Sequence, residues 1–216
     1  MLPVRKTIIV FTACLAFAFT ALPAAPEKPF KLDMYRVFSG VDLTQIVLCK
    51  VRSGDTIESI AKVYQTTTEL IKILNHRDDD KLRDGEMLKV WAEPFSIVIS
   101  KKKNLLSLKC GKEVVKTYRV ATGVGGNTPE GKFTITTRLE NPVWFKKGVP
   151  IAPESPENAL GPRWLGLDKP QVGIHGTIHP ELIGKSVSHG CVRMRNKDVK
   201  ELYLVIPIGT KVTIVD

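Results

Sequence analysis

The chain has 216 residues, 43% of them apolar and 25% charged, a globular balance at a length that fits one domain or two small ones. Against 22 Asp and Glu stand 32 Lys and Arg, and the net charge of +10 admits nucleic acid, anionic lipid or an acidic wall polymer as a partner. No recognition helix, aromatic-studded basic groove or zinc-knuckle spacing accompanies the charge, so it does not select nucleic acid, and a solvated basic surface is the simpler reading.

At the N-terminus, Arg5 and Lys6 precede an apolar run over residues 7–22, and Ala24 and Ala25 follow. This is the pattern of an export signal. Pro23 occupies a position where cleavage prefers a small residue, so residues 1–25 read as a signal peptide or an uncleaved signal anchor, although the run is short for a membrane span. Export to the periplasm or cell wall is expected, with membrane contact only through an uncleaved segment. Residues 26–44, broken by Pro26, Pro29 and Gly40, read as a linker. Beyond Cys14, which lies in the apolar run, Cys49, Cys110 and Cys191 remain, an odd number for an exported chain. Cys49 and Cys110 are expected as buried free thiols.

Residues 45–51 form an apolar, strand-like run, and Arg52-Ser53-Gly54 a turn. Asp55-Thr56-Ile57-Glu58 has the form of a helix cap, with the acidic residue reaching back. Ile57, Ile60, Ala61 and Tyr64 follow at helical spacing, and a second short helix from Thr67 puts Leu70, Ile71 and Leu74 on one face and ends at Asn75. Asp84-Gly85 turns the chain into a closing strand over residues 86–91. This βααβ unit, VRSGDTIESIAKVY…LIKILN…KLRDGEMLKV, resembles the lysin motif (LysM) over residues 45–92. The resemblance implies binding of the N-acetylglucosamine-containing glycan of peptidoglycan or chitin. The run His76-Arg77-Asp78-Asp79-Asp80 is more charged than the motif leads one to expect.

Residues 93–216 read as mainly β. Residues 95–99 alternate as a strand, residues 105–108 and 114–121 flank a turn at Cys110-Gly111-Lys112, and residues 132–137 form a strand after a long glycine-rich turn. That turn lacks the Gly-Lys-Ser/Thr ending and the following helix of a phosphate loop. Residues 141–167 are rich in Pro and Gly and carry Trp144 and Trp164, and they read as a long loop, a wall or lid over a substrate groove. Near the end, Asn196 is expected to cap a helix with Val199, Leu202, Tyr203 and Ile206 on one face, before a final strand over residues 211–215.

The densest chemistry lies in residues 172–196, VGIHGTIHPELIGKSVSHGCVRMRN, which hold His175, His179, His189 and Cys191. A thiol with an ordinary pKa of about 8.5 is only a few per cent thiolate at neutral pH, so Cys191 needs a base, and His175 is the candidate. Gly190 and Cys191 can present backbone amides to an oxyanion, Ser188 can support the turn, and Arg193 can hold a carboxylate with its planar fork. His189 reads as a structural or oxyanion-supporting residue, and His179 as an exposed loop residue. The same histidines and thiol could ligate zinc, but the His-Glu-x-x-His pattern is absent, and no metal or cofactor is expected.

Thr128-Pro129-Glu130-Gly131, Asn158-Ala159-Leu160-Gly161, Ile174-His175-Gly176-Thr177 and Ser188-His189-Gly190-Cys191-Val192-Arg193-Met194 together resemble the L,D-transpeptidase catalytic domain of the YkuD type, over about residues 95–216. The resemblance implies a β-sandwich, Cys191 as nucleophile, His175 as base with its ring oriented by the Gly176 carbonyl, and peptidoglycan stem peptides as substrate. Release of D-alanine from a tetrapeptide would be followed by transfer to an amine, whether diaminopimelate of a second stem or a lipoprotein lysine. Water as acceptor would make a carboxypeptidase, and a silent site would leave a wall-binding protein.

Overall fold

The structure, a computed structural model, describes residues 45–216, so the expected signal segment and linker lie outside the described residues. The first unit is a two-stranded antiparallel sheet of β1 (Ile46–Lys50) and β2 (Met87–Trp91) enclosing helices α1 (Ile57–Val63) and α2 (Thr68–Leu74). Helix α1 starts at Thr56, whose hydroxyl accepts from the Ser59 amide while Ser59 Oγ accepts from the Thr56 amide, each at 3.0 Å. The reciprocal partner is thus Ser59 and not Glu58, because a capping box needs the third residue after the cap. In the charged loop that follows, Arg77 binds Glu86 at 2.7 Å and Asp79 at 3.4 Å and also reaches the Lys81 carbonyl. The charge run is therefore largely an internal clamp.

The remainder is one nine-stranded sheet in the order β11-β5-β12-β10-β9-β6-β13-β3-β4, with β4 pairing back onto β5. Its strands are β3 (Phe95–Ser100), β4 (Leu105–Cys110), β5 (Glu113–Gly123), β6 (Gly131–Glu140), β9 (Arg163–Leu167), β10 (Gly173–His175), β11 (Ser186–Ser188), β12 (Val192–Met194) and β13 (Lys211–Val215). The hairpin of β7 (Trp144–Lys146) and β8 (Val149–Ile151) stands apart from the sheet. Strict alternation in β3 and β4 sends Phe95, Ile97, Ile99, Leu106 and Leu108 inward. The β5 strand first pairs with β4 and then, from Val120 onward, with β12 and β11, so the sheet closes into the barrel-like body expected of a sandwich. Helix α3 (Asn196–Val205) covers this core with Val199, Leu202, Tyr203 and Val205, and Lys116 of β5 reaches its Glu201 at 2.6 Å.

Two expectations change here. The stretch read as one long loop contains a hairpin and β9, an interior strand between β6 and β10. The cap of α3 is Arg195, without a side-chain bond, and Asn196 is already helical. Among the described residues Cys49, Cys110 and Cys191 are free thiols, Cys110 buried.

The small unit is docked on the large one. Leu70, Leu74 and Trp91 join the core formed by Phe95, Leu202 and Tyr203. Trp91 stacks on Phe95 at 5.3 Å. Thr67, the α2 cap, also donates to the Leu204 carbonyl. Arg138 lies 4.1 Å over the Tyr203 ring, donates to the Tyr203 carbonyl at 2.8 Å and pairs with Glu69 at 2.9 Å. A shared core of this kind predicts one calorimetric unfolding transition for both units, and Arg138→Ala should destabilise that single transition by about 2–3 kcal/mol. Two separable transitions in the native protein would contradict it.

Candidate active site

The site is built on one face of three neighbouring strands. β10 runs parallel to β12 with His175 opposite Arg193, and antiparallel to β9 with His175 opposite Trp164. The row beneath, Leu165, Ile174 and Val192, points into the core with no exposed surface. Alternation therefore puts Trp164, His175 and Arg193 on the opposite face, and Cys191, two residues before Arg193, shares that face. Gly166 and Gly173 are themselves paired, and the Trp164 indole lies across them. A Cβ on Gly173 would fall 2.6 Å from the ring and one on Gly166 2.7 Å, so both glycines are needed for the indole to lie flat. From this seat Trp164 stacks on His175, centroids 5.6 Å apart.

His175 is 4% exposed, and its Nδ1 is 2.7 Å from the Gly176 carbonyl. A carbonyl can only accept, so Nδ1 carries the proton and Nε2 is left as the basic nitrogen. Burial lowers the pKa of this ring from 6.5 to about 4; the Gly176 carbonyl opposes that shift and the charge of Arg193 adds to it. Burial likewise raises the Cys191 thiol, against the Gly173 amide and Arg193. The half-buried thiol donates to the Gln171 carbonyl at 3.2 Å. Thiol and imidazole are thus both neutral at rest. Arg193 is half-buried, and its Nε is enclosed without a hydrogen-bond partner among the described residues.

The turn before Cys191 is held by Ser188, which is 1% exposed. Its Oγ donates to the Cys191 carbonyl at 2.6 Å and accepts from the Gly190 amide at 3.2 Å. Gly190 sits at φ +145°, a conformation open to glycine, and its amide meets Ser188 in this structure. His189 projects from the same turn and is exposed. His179 is exposed as well, 3.2 Å from Glu181. Trp144 lies half-buried in the β7–β8 hairpin with Lys146 5.9 Å over its ring, in a different sheet from Trp164.

Three residues that support the site are given no site role of their own in the sequence reading, where Asn196 is a helix cap and Asn158 only part of a motif. Gln171, at φ +61°, presents the carbonyl that holds the thiol. Asn196 bonds the Thr177 amide at 2.8 Å instead of capping α3. Asn158, 1% exposed, donates to the carbonyls of Pro142, Ile151 and Ala152 at 2.9, 3.3 and 3.1 Å and accepts from the Leu160 amide at 3.0 Å. An asparagine within a Pro- and Gly-rich segment is the available signal for such a role, since its amide can satisfy several loop carbonyls at once.

Asn158→Ala is expected to remove the side-chain donor shared by these carbonyls, of which Ala152 keeps the Ser155 amide, and the acceptor of the Leu160 amide, and to cost about 2–3 kcal/mol in unfolding free energy; an unchanged urea midpoint would contradict this. The buried histidine sets a pH dependence. The unfolded chain takes up the His175 proton near pH 6.5 and the folded chain only near pH 4, so stability rises with pH between these values. Acidification across that window should remove about 3 kcal/mol through this group. Urea unfolding at stepped pH reads the slope, and His175→Gln should remove the part of it that this ring contributes.

Two family models match the chain, one described as the L,D-transpeptidase catalytic domain (YkuD) over residues 94–214 and one as the LysM domain over residues 49–91. The chain is 43% identical to YqjB of Bacillus subtilis over 130 residues, 57% of this chain and 72% of that protein. It is 37% identical to YkuD of the same organism over 172 residues, 76% of this chain and 96% of that one. Both relatives are named for L,D-transpeptidase activity. The solved catalytic domain of the E. faecium L,D-transpeptidase aligns with a TM-score of 0.47 at 21% identity, over 57% of this chain and 98% of that one. With a catalytic-domain match spanning more than half its length and relatives of this identity, the chain belongs to the L,D-transpeptidase family and carries a LysM domain at its N-terminal side.

Proposed function

We propose that the protein is a cysteine-dependent peptidoglycan L,D-transpeptidase with Cys191 as nucleophile and His175 as general base. The observation that carries this reading is the His175 ring. It shares one sheet face with Cys191 and Arg193, and its Nδ1 is committed to the Gly176 carbonyl. Membership of the family, together with the LysM domain, implies a cell-wall-associated extracellular protein that binds and acts on peptidoglycan.

The chemistry follows from the protonation states. As substrate enters, the Cys191 thiol leaves its hydrogen bond to the Gln171 carbonyl and gives its proton to His175 Nε2, and Sγ attacks the carbonyl that precedes the terminal D-alanine of a tetrapeptide stem. Negative charge develops on that oxygen, with the Cys191 amide as donor and the Gly190 amide joining it on leaving Ser188. The imidazolium gives its proton to the departing amine, the C–N bond breaks, D-alanine leaves and a thioester remains. An acceptor amine then loses a proton to His175, attacks the thioester, and the proton returns to the Cys191 thiolate. Arg193, enclosed on one side and without an acidic partner among the described residues, suits a carboxylate of the stem peptide. Trp164 holds the base flat, Trp144 walls the groove, and exposed His189 borders it.

Intact mass spectrometry of native and Cys191→Ala protein incubated with disaccharide-tetrapeptide fragments tests this reading. A crosslinked dimer formed with loss of D-alanine by the native protein alone is the expected result. A shortened monomer alone would make water the acceptor and the protein a carboxypeptidase. Absence of both products and of any acyl-enzyme would leave a wall-binding protein.

A further inference from the structure

Asn196 has no place in the chemistry above, yet it touches the peptide unit on which the base depends. Its Oδ1 accepts from the Thr177 amide at 2.8 Å. That N–H belongs to the same peptide unit as the Gly176 carbonyl, which receives the His175 Nδ1 proton at 2.7 Å. One rigid plane is therefore bonded at both ends, to the imidazole through C=O and to Asn196 through N–H. The oxygen sits in a slot formed by two glycines. A Cβ on Gly176 would lie 2.4 Å from Asn196 Oδ1, and one on Gly161 2.6 Å. The first turn of α3 forgoes a side-chain cap at Arg195 while Asn196 makes this contact.

We propose that Asn196 is a positioning residue for the base, acting through the Gly176–Thr177 peptide to fix the direction and raise the acceptor strength of the carbonyl that holds His175. The inference rests on His175 being the base. Two effects produce it. Because the peptide is planar, anchoring its N–H fixes where its C=O points, and hence where Nε2 of the ring points. Because hydrogen bonds in a chain polarise one another, an acceptor on the N–H makes the carbonyl at the other end more negative and better able to stabilise an imidazolium. The other groups acting on the ring are the Arg193 charge from β12, which opposes the imidazolium, and the Leu160 carbonyl, which favours it. Neither requires Asn196, so its contribution can be read separately.

The experiment compares native protein, Asn196→Ala and Asn196→Asp by two measurements. One is the NMR shift of the His175 Nδ1 proton at neutral pH, where the ring is neutral, together with the Thr177 amide proton. The other is kcat and KM on tetrapeptide fragments as a function of pH. Asn196→Ala should move both protons upfield and lower kcat by about tenfold or more, with KM within about twofold. Asn196→Asp keeps an acceptor in place and adds charge. It should restore the downfield shifts, recover most of kcat and move the acid limb of kcat/KM to higher pH. Proton shifts and an acid limb identical in all three proteins would overturn the proposal. If Asn196→Ala fails to fold, the Asp variant alone decides, since an unmoved acid limb and unmoved proton shifts overturn the relay. Native protein that turns over no peptide, with the proton shifts still responding to Asn196, would leave the relay standing and remove the transpeptidase reading instead.

Discussion

The site depends on an imidazole kept almost wholly out of water. Burial penalises the charged ring, and the value near 4 expresses that penalty, yet the general-base role proposed for it requires the same ring to become charged for part of each turnover. The surroundings make this brief charge tolerable without stabilising it at rest. The Gly176 carbonyl points its negative end at Nδ1, and the flat face of Trp164 offers the electron density of its ring. Arg193 acts in the other direction on the ring and adds to the penalty of burial, while its charge favours the thiolate of Cys191. A substrate carboxylate that neutralised Arg193 would lift that opposition, so substrate binding and readiness of the base are coupled by charge alone.

Strand register converts this local chemistry into a demand on the fold. Leu165, Ile174 and Val192 form a row in the core, and Trp164, His175 and Arg193 the row behind it. Side chains alternate with a period of two, so a slip of one residue in β10 would exchange Ile174 with His175. The apolar row thus specifies the catalytic one. The paired glycines at 166 and 173 add a second lock, because the indole fits only where both lack a Cβ.

Much of this is legible in the chain. Cys191, His175 and the glycines between them lie within one short segment, and the Thr67 cap and the alternation of β3 follow from local rules. The readings that failed are those in which a distant partner decides. Residues 163–167 look like loop because they follow a Pro- and Gly-rich run, but β6 and β10 recruit them as an interior strand. Asn196 stands where an asparagine ordinarily caps a helix, but the Thr177 amide outbids the helix terminus for its oxygen. Trp144 and Trp164 look alike in sequence, and only the strand pairing of Trp164 with His175 separates the tryptophan that stacks on the imidazole from the one in the hairpin.

The way β5 closes the sheet bears on when the enzyme becomes competent during its own folding. The ring is completed on the site side by two register pairs, Val120 with Met194 and Ala121 with Arg193. These join segments more than seventy residues apart, the kind of contact whose loop-closure cost delays its formation. The strand that completes the ring is also the one that carries Arg193 and follows Cys191. The face of Trp164, His175 and Arg193 rests on shorter-range pairings of β9, β10 and β12, so it can assemble before β5 closes the ring behind it. A partly folded chain can therefore hold His175 beside the Cys191 segment already, and what it lacks is the closed ring around them.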